Sequence, residues 1–186
     1  MTIRDKEASY EKLIIKIEDS IETATSSNAQ SKFAKIRLNF SNIINAVISE
    51  PAMLSVKLNN ENHLSFSAKL LDATGNKTSA DKGNSYKKLL CVAFDLALLQ
   101  TYNQLNFPHF VFHDGVFETL DDRKKENLLS EMRDISNQGI QQIVTMIDSD
   151  TPNEYGQAKA WLSSSEIILF LHDDGEKGRL FKMPTW

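Results

Sequence analysis

The 186-residue sequence holds a single cysteine, Cys91. One thiol excludes an internal disulfide and most cysteine-built metal sites. Cys91 stands in the apolar run Leu89-Leu90-Cys91-Val92-Ala93, so it reads as a small core residue. An excess of basic charge is also missing. Against 21 Lys and Arg stand 25 Asp and Glu, and the net charge of −4 gives no global field for nucleic acid. No apolar run approaches the length of a membrane span. The N-terminus, MTIRDKEASYEK, is charged and lacks the apolar centre of a secretory signal. These absences point to a soluble, cytoplasmic protein with no membrane partner. No internal repeat and no low-complexity segment is present.

What is there divides by hydrophobic period. Residues 3–49 read as helical, with Leu13, Ile14, Ile17 and Ile21 at helical spacing and a polar break over 23–32. Phe33, Ile36, Phe40, Ile43, Ile44 and Val47 resume the period before Pro51. The first helix suits the stub of a coiled coil and an ordinary surface helix equally well. Alternation then predicts a hairpin with strands near 53–58 and 63–71, around NNEN. His63 reads as a turn or strand-surface residue.

A polar loop follows over 72–85, expected to be exposed and mobile, with Ser85 able to cap the next helix. That helix, 86–102, is apolar on nearly all sides and is expected to be buried. A strand at 109–113 runs into Asp114. A helix over 121–138 opens on Asp121 and Asp122, which favour its positive end, and stops before Gly139. IQQIVTMID is the next strand, and one intervening helix predicts that the two strands run parallel. A helix over 153–163 and a closing hairpin, EIILFLHDDGEKGRLFKM, complete the expectation.

The stretch FPHFVFHDGVFETLD carries the chemistry. An apolar strand ends in Asp114, and a second acid, Asp121, follows seven residues later. Ligands of open α/β sheets sit at the carboxyl ends of the strands. A carboxylate there can hold a hydrated Mg²⁺, which prefers hard oxygen ligands and keeps several waters.

In this order of loop, helix, strand, acid, loop and helix, residues 33–186 resemble the C-terminal half of an SMC/RecN-like ATPase head of the ABC class. Within that class they are most similar to a domain-of-unknown-function family at the C-terminal end of predicted coiled-coil ATPases. The resemblance implies an α/β fold, a partial ABC-ATPase head that is the C-terminal lobe of a P-loop NTPase. Residues 1–50 would be a helical arm and 51–186 the lobe. HFVFHD matches the Walker B strand, with Asp114 as the catalytic and metal-side acid. TLD matches the D-loop and places Asp121 at a dimer interface. DKGNSYKK occupies the signature loop, so Lys82, Gly83, Asn84 and Ser85 would face a nucleotide on a partner head.

Four departures from the pattern stand out. Gly115 replaces the glutamate that positions the attacking water, and Glu118 is nearby in sequence although no pattern in the sequence makes it the substitute. Lys82 and Asn84 replace the usual serine and glycine. MIDSD stands where a switch histidine is expected. No G-x-x-x-x-G-K-[ST] occurs anywhere. ATP and Mg²⁺ are therefore implied only together with a separate Walker A lobe or second head, in a homo- or hetero-oligomer. The role implied is DNA maintenance or defence, although the net charge does not support DNA as a direct partner. The alternative is a catalytically inactive interaction or scaffold module, which Gly115 favours. His113-Asp114 also matches the dyad of HD phosphohydrolases, but those are all-helical and need further ligands. His113 is expected to turn toward Asp114 or a neighbouring strand. Arg123-Lys124-Lys125 reads as a solvated helix face, and the aromatics of WLSSSEI and RLFKMPTW as core-closing.

Overall fold

The computed structural model describes residues 10, 13, 31–61, 63–72, 83–154, 157–158, 161–172 and 174–182. Most of the predicted first helix, most of the 72–85 loop and the end 183–186 lie outside the described residues. The chain forms two compact units, Met1–Asp150 and Thr151–Trp186.

In the first unit, helix α1 (Lys32–Ile48) starts where the side chain of Ser31 accepts the Ala34 N–H at 3.0 Å. Its stripe of Ile36, Phe40, Ile43, Ile44, Val47 and Ile48 is buried. Each such side chain contributes about 1.5–3 kcal/mol on leaving water. Ser49 takes a left-handed φ of 58° and ends the helix, and Pro51 follows. Strands β1 (Ala52–Leu58) and β2 (Leu64–Leu70) pair antiparallel from Ala52↔Leu70 to Leu58↔Leu64, which is the predicted hairpin. Its turn is held by Asn59 Oδ1, which accepts from the N–H groups of Glu61 and His63. His63 is exposed, as expected of a turn residue.

Helix α2 (Asn84–Tyr102) begins after Gly83, whose position at the N-cap lacks a side-chain cap. Ser85 therefore sits inside the first turn and is not the cap residue. The helix is not buried all round. Leu89, Leu90, Val92, Ala93, Leu96, Ala97 and Leu99 are buried, whereas Lys87 and Cys91 are exposed. Cys91 is thus a surface thiol, not a core residue. Its position lies on the outward stripe with Lys87 and, one turn later, half-buried Phe94 and Asp95. Apolar neighbours in sequence misled because adjacent helix residues point 100° apart.

Strand β3 (Phe110–Asp114), helix α3 (Asp122–Ser136) and strand β4 (Gln141–Thr145) form the predicted parallel unit, from Phe110↔Gln141 to Asp114↔Thr145. Helix α1 packs on β1, α2 and α3, and its contacts tie the hairpin and the parallel unit to one core. Leu128, Met132 and Ile135 are the buried face of α3. Lys125 is buried too, so the basic triplet is not a solvated face.

The second unit departs from expectation. Among the described residues of 153–163 no helix forms; β5 (Asn153–Glu154) pairs antiparallel with β6 (Gln157–Ala158). No strand occurs among the described residues of 166–183, where 3₁₀ turns occupy Glu176–Gly178 and Leu180–Lys182. The apolar run Ile168-Leu169-Phe170-Leu171 is exposed. A strand needs a neighbour to complete its ladder, and none of the described residues pairs with this run. Trp161 is buried as expected, whereas Phe181 is exposed. Among the described residues no helix is long and apolar enough to cross a membrane.

Candidate functional site

The site is built at the carboxyl ends of β3 and β4 and the first turn of α2. Successive strand residues point to opposite faces. His113 is accordingly buried while Asp114 is exposed. His113 Nε2 lies 3.4 Å from Asp95 Oδ2 on α2, and its Nδ1 has no hydrogen-bond partner. The histidine faces helix α2 and not Asp114, so the dyad cannot converge on one metal ion.

Asp114 accepts a hydrogen bond from the hydroxyl of Thr145, its ladder partner on β4. The pairing runs one step further, with the Gly115 N–H donating to Thr145 O at 3.1 Å. Among the described residues no group of three or more His, Cys, Asp or Glu could hold a metal ion. One carboxylate and one hydroxyl are hard donors suited to a Mg²⁺ that keeps its waters, but they do not form a cage.

Gly115 adopts a left-handed φ of 57°. Lys88, one turn into α2, donates from Nζ to Gly115 O at 2.8 Å and to Glu118 Oε2 at 2.8 Å. Lys88 and Glu118 are 30 residues apart, and no local pattern in the sequence announces their contact.

Asp121 is the N-cap of α3, accepting the Lys124 N–H at 3.0 Å. Lys124 Nζ lies 2.7 Å from Asp121 Oδ2, 3.4 Å from the Tyr86 hydroxyl and 5.3 Å above the Tyr86 ring. The side-chain hydrogen bond from Lys124, then its backbone N–H, lowers the Asp121 carboxyl below the usual carboxylate range. The same bond raises Lys124, against a smaller opposing effect of burial. These contacts join the N-terminus of α3 to that of α2.

Of the residues singled out in sequence, Gly83, Asn84, Ser85, Asp114 and Asp121 thus belong to segments gathered near α2 and the β3–α3 loop. Lys82 lies outside the described residues. Lys88, Lys124, Tyr86 and Thr145 were missed, and Glu118 stood out only as an acid close to Gly115; Thr145 was within reach, because a parallel register predicts a partner for Asp114. Where a switch histidine is expected, Asp148–Asp150 forms a 3₁₀ turn, and Asp150 is buried with its carboxylate on the Ile147 N–H. An open depression of about 450 Å³ lies elsewhere, lined by Ala34, Arg37, Met53, Leu71 and neighbours, and contains none of these residues.

No curated protein matches the sequence. Among solved structures, the chain is similar to the Smc head domain with a coiled coil and joint derived from Pyrococcus yayanosii. The identity is 20%, over 78% of this chain and 28% of that one, with a TM-score of 0.50. It is also similar to an SmcHead bound to the C-winged helix domain of ScpA, at 20% identity over 69% of this chain and 41% of that one, TM-score 0.48. At 20% identity the likeness to the Pyrococcus yayanosii domain is one of fold alone: the chain has the fold of part of an Smc head domain. The chain spans less than half the length of either. Residues 43–185 match the family described as "Uncharacterised protein conserved in bacteria (DUF2326)", and the chain belongs to that family.

Proposed function

We propose that this chain is the C-terminal half of an SMC-like ATPase head and contributes its Walker B acid, D-loop and signature-like loop to an MgATP site. A separate lobe supplies the P-loop. Residues 1–50 act as the arm that leads into the lobe formed by 51–186. The observation that carries the reading is the state of the β3–β4 pair. Its acid is exposed at the carboxyl end, and one of its faces is bare: Phe110 and Phe112 are more than half exposed, and Ile143 is 36% exposed. Parallel strands normally lie covered on both faces. A second lobe bringing further strands and a P-loop would cover that face and complete the nucleotide cleft.

In this reading Asp114, oriented by Thr145, holds the water shell of Mg²⁺, which when bound offsets charge on the phosphates. Gly83, Asn84 and Ser85 open α2, whose first N–H groups suit an anion, so with Lys82 they face a nucleotide on the opposing head. Asp121 stands at the dimer interface. DNA maintenance or defence against foreign DNA is the corresponding role.

The test titrates a fluorescent ATP analogue, with and without Mg²⁺, into the chain alone and into the chain combined with a P-loop lobe of an SMC-like head. The combination should bind in a Mg²⁺-dependent manner, and Asp114→Ala should weaken binding about tenfold or more, near 1.4 kcal/mol. The chain alone should bind poorly, because its sequence holds no G-x-x-x-x-G-K-[ST] loop to cradle the phosphates. Indifference of the combined protein to Mg²⁺ and to Asp114→Ala overturns the reading. It would leave the second reading, an inactive interaction module, which the missing side chain at Gly115 favours.

A further inference from the structure

We propose that Glu118 directs the attacking water in place of the glutamate that is absent at position 115. The inference rests on the ATP-binding reading above and adds a residue to the same site.

Glu118 crowds the space around Gly115. A Cβ at this position would lie 2.5 Å from Glu118 Oε1, 2.8 Å from Cδ and 3.2 Å from Oε2. The Glu118 carboxylate therefore fills the volume into which a side chain at 115 would grow. Residue 115 can be glycine and leave that volume to Glu118, or carry a side chain and expel it. Two left-handed residues, Gly115 at φ 57° and Thr119 at φ 67°, flank the turn that brings Glu118 back over Gly115. Such a backbone is strained for Thr119 and persists because its surroundings impose it.

Lys88 supplies part of that constraint. Its ammonium bridges Gly115 O and Glu118 Oε2, both at 2.8 Å. Side chains this mobile are seldom fixed on a surface without a second anchor, and here the anchor is the Gly115 carbonyl. Lys88 and Glu118 nonetheless keep 40% and 49% of their side-chain surface exposed. The carboxylate is held in place yet open to an incoming ligand, and although it belongs to a residue four beyond Asp114 it occupies the side-chain space of the residue next to that acid.

The step balances with ATP and water alone. The water oxygen bonds to the γ-phosphorus, and the bond from that phosphorus to the bridging oxygen breaks with its electron pair leaving on ADP. Glu118 accepts the water's proton, and inorganic phosphate is released. Lys88 is a positioning residue that fixes the carboxylate's orientation.

The experiment uses the chain combined with its P-loop lobe and compares Glu118→Gln, Glu118→Ala and Asp114→Ala. Phosphate release, ATP-analogue affinity and the lifetime of the ATP-held assembly by light scattering are read together. Glu118→Gln keeps a hydrogen-bond acceptor for Lys88 but cannot take a proton. It should lower kcat by about a hundredfold or more, leave ATP affinity within about threefold, and prolong the assembly. Asp114→Ala should lose nucleotide affinity instead. If Glu118→Gln turns over at the wild-type rate while Asp114→Ala is inactive, Glu118 is structural and the inference fails, with the ATP reading intact. If Glu118→Gln rescues the loss caused by Glu118→Ala, the conclusion is the same. Failure of all versions to bind MgATP overturns both.

Discussion

Lys124 Nζ lies 2.7 Å from Asp121 Oδ2 while the backbone N–H of the same lysine donates to Asp121 Oδ1 at 3.0 Å. One carboxylate thus caps helix α3 and anchors the cation that reaches Tyr86 on α2. Asp121→Ala should cost about 1 kcal/mol, the usual value of an N-cap, or about 2–4 °C in Tm for a body of this size. The folded carboxyl titrates below its unfolded value. Its contribution is therefore complete above the ordinary unfolded value near 4, and disappears as pH falls through the lower folded value. Lys124 is raised, so its share is present below an unfolded value near 10.4 and is lost as pH rises through the folded one. Urea midpoints of wild type and Asp121→Ala should differ most at neutral pH and converge toward both extremes. A gap that is constant from pH 2 to 11 contradicts this account.

Gly115 and Glu118 should behave as a coupled pair in stability as well as in chemistry. Gly115→Ala forces a Cβ against the Glu118 carboxylate at a left-handed φ, and should destabilise by about 1–3 kcal/mol. Glu118→Ala removes only an exposed ion pair, worth under about 1 kcal/mol. In the double variant the collision is gone while the backbone strain remains. Its cost should fall short of the sum by about 0.5 kcal/mol or more. Strict additivity in a denaturant double-mutant cycle would show that the two groups do not compete for the same space.

The parts of the fold that the sequence announced are those whose signal is local. Ile36, Phe40, Ile43 and Val47 repeat at helical spacing, and α1 forms where they do. The single helix between HFVFHD and IQQIVT implied a parallel pair, and β3 and β4 are parallel. The tail failed for a nonlocal reason. Ile168 to Leu171 suit a strand buried on both faces, but strand formation depends on a partner that periodicity does not reveal. The site divides in the same way. Asp114 and Asp121 sit at element ends that patterns locate. Lys88 meets Glu118 across 30 residues only because α2 crosses the end of β3.

Cys91 offers a direct check on the orientation of α2. It is exposed on the outward stripe with Lys87, although four of its sequence neighbours are buried. The native chain should react with a small aromatic disulfide reagent within a few-fold of the rate seen in denaturant. A buried thiol reacts only through unfolding, which for stabilities of 5–15 kcal/mol means suppression by several orders of magnitude. Strong protection of Cys91 would rotate the helix relative to the core described above.

The bare face of the β3–β4 pair should matter for association and not for folding. Phe110 and Phe112 are 58% and 56% exposed, whereas Phe117, five residues beyond Phe112, is 1% exposed. If Phe110 and Phe112 await a second lobe, they contribute little to the folding of this chain and much to its association. Phe110→Ser with Phe112→Thr should change the urea midpoint by less than the equivalent of about 1 kcal/mol, since each surface substitution falls within ±0.5. Phe117→Ala should cost about 3–5 kcal/mol. The same double change should lower concentration-dependent light scattering of the chain alone, because it removes the apolar patch that parallel strands ordinarily keep covered. It should also weaken capture of the P-loop lobe, while Phe66→Ser, at the equally exposed hairpin phenylalanine whose ring lies tilted against Phe94, leaves that capture unchanged. Equal losses from the two substitutions would mean that the lobe does not dock on β3, and the face would then need another occupant.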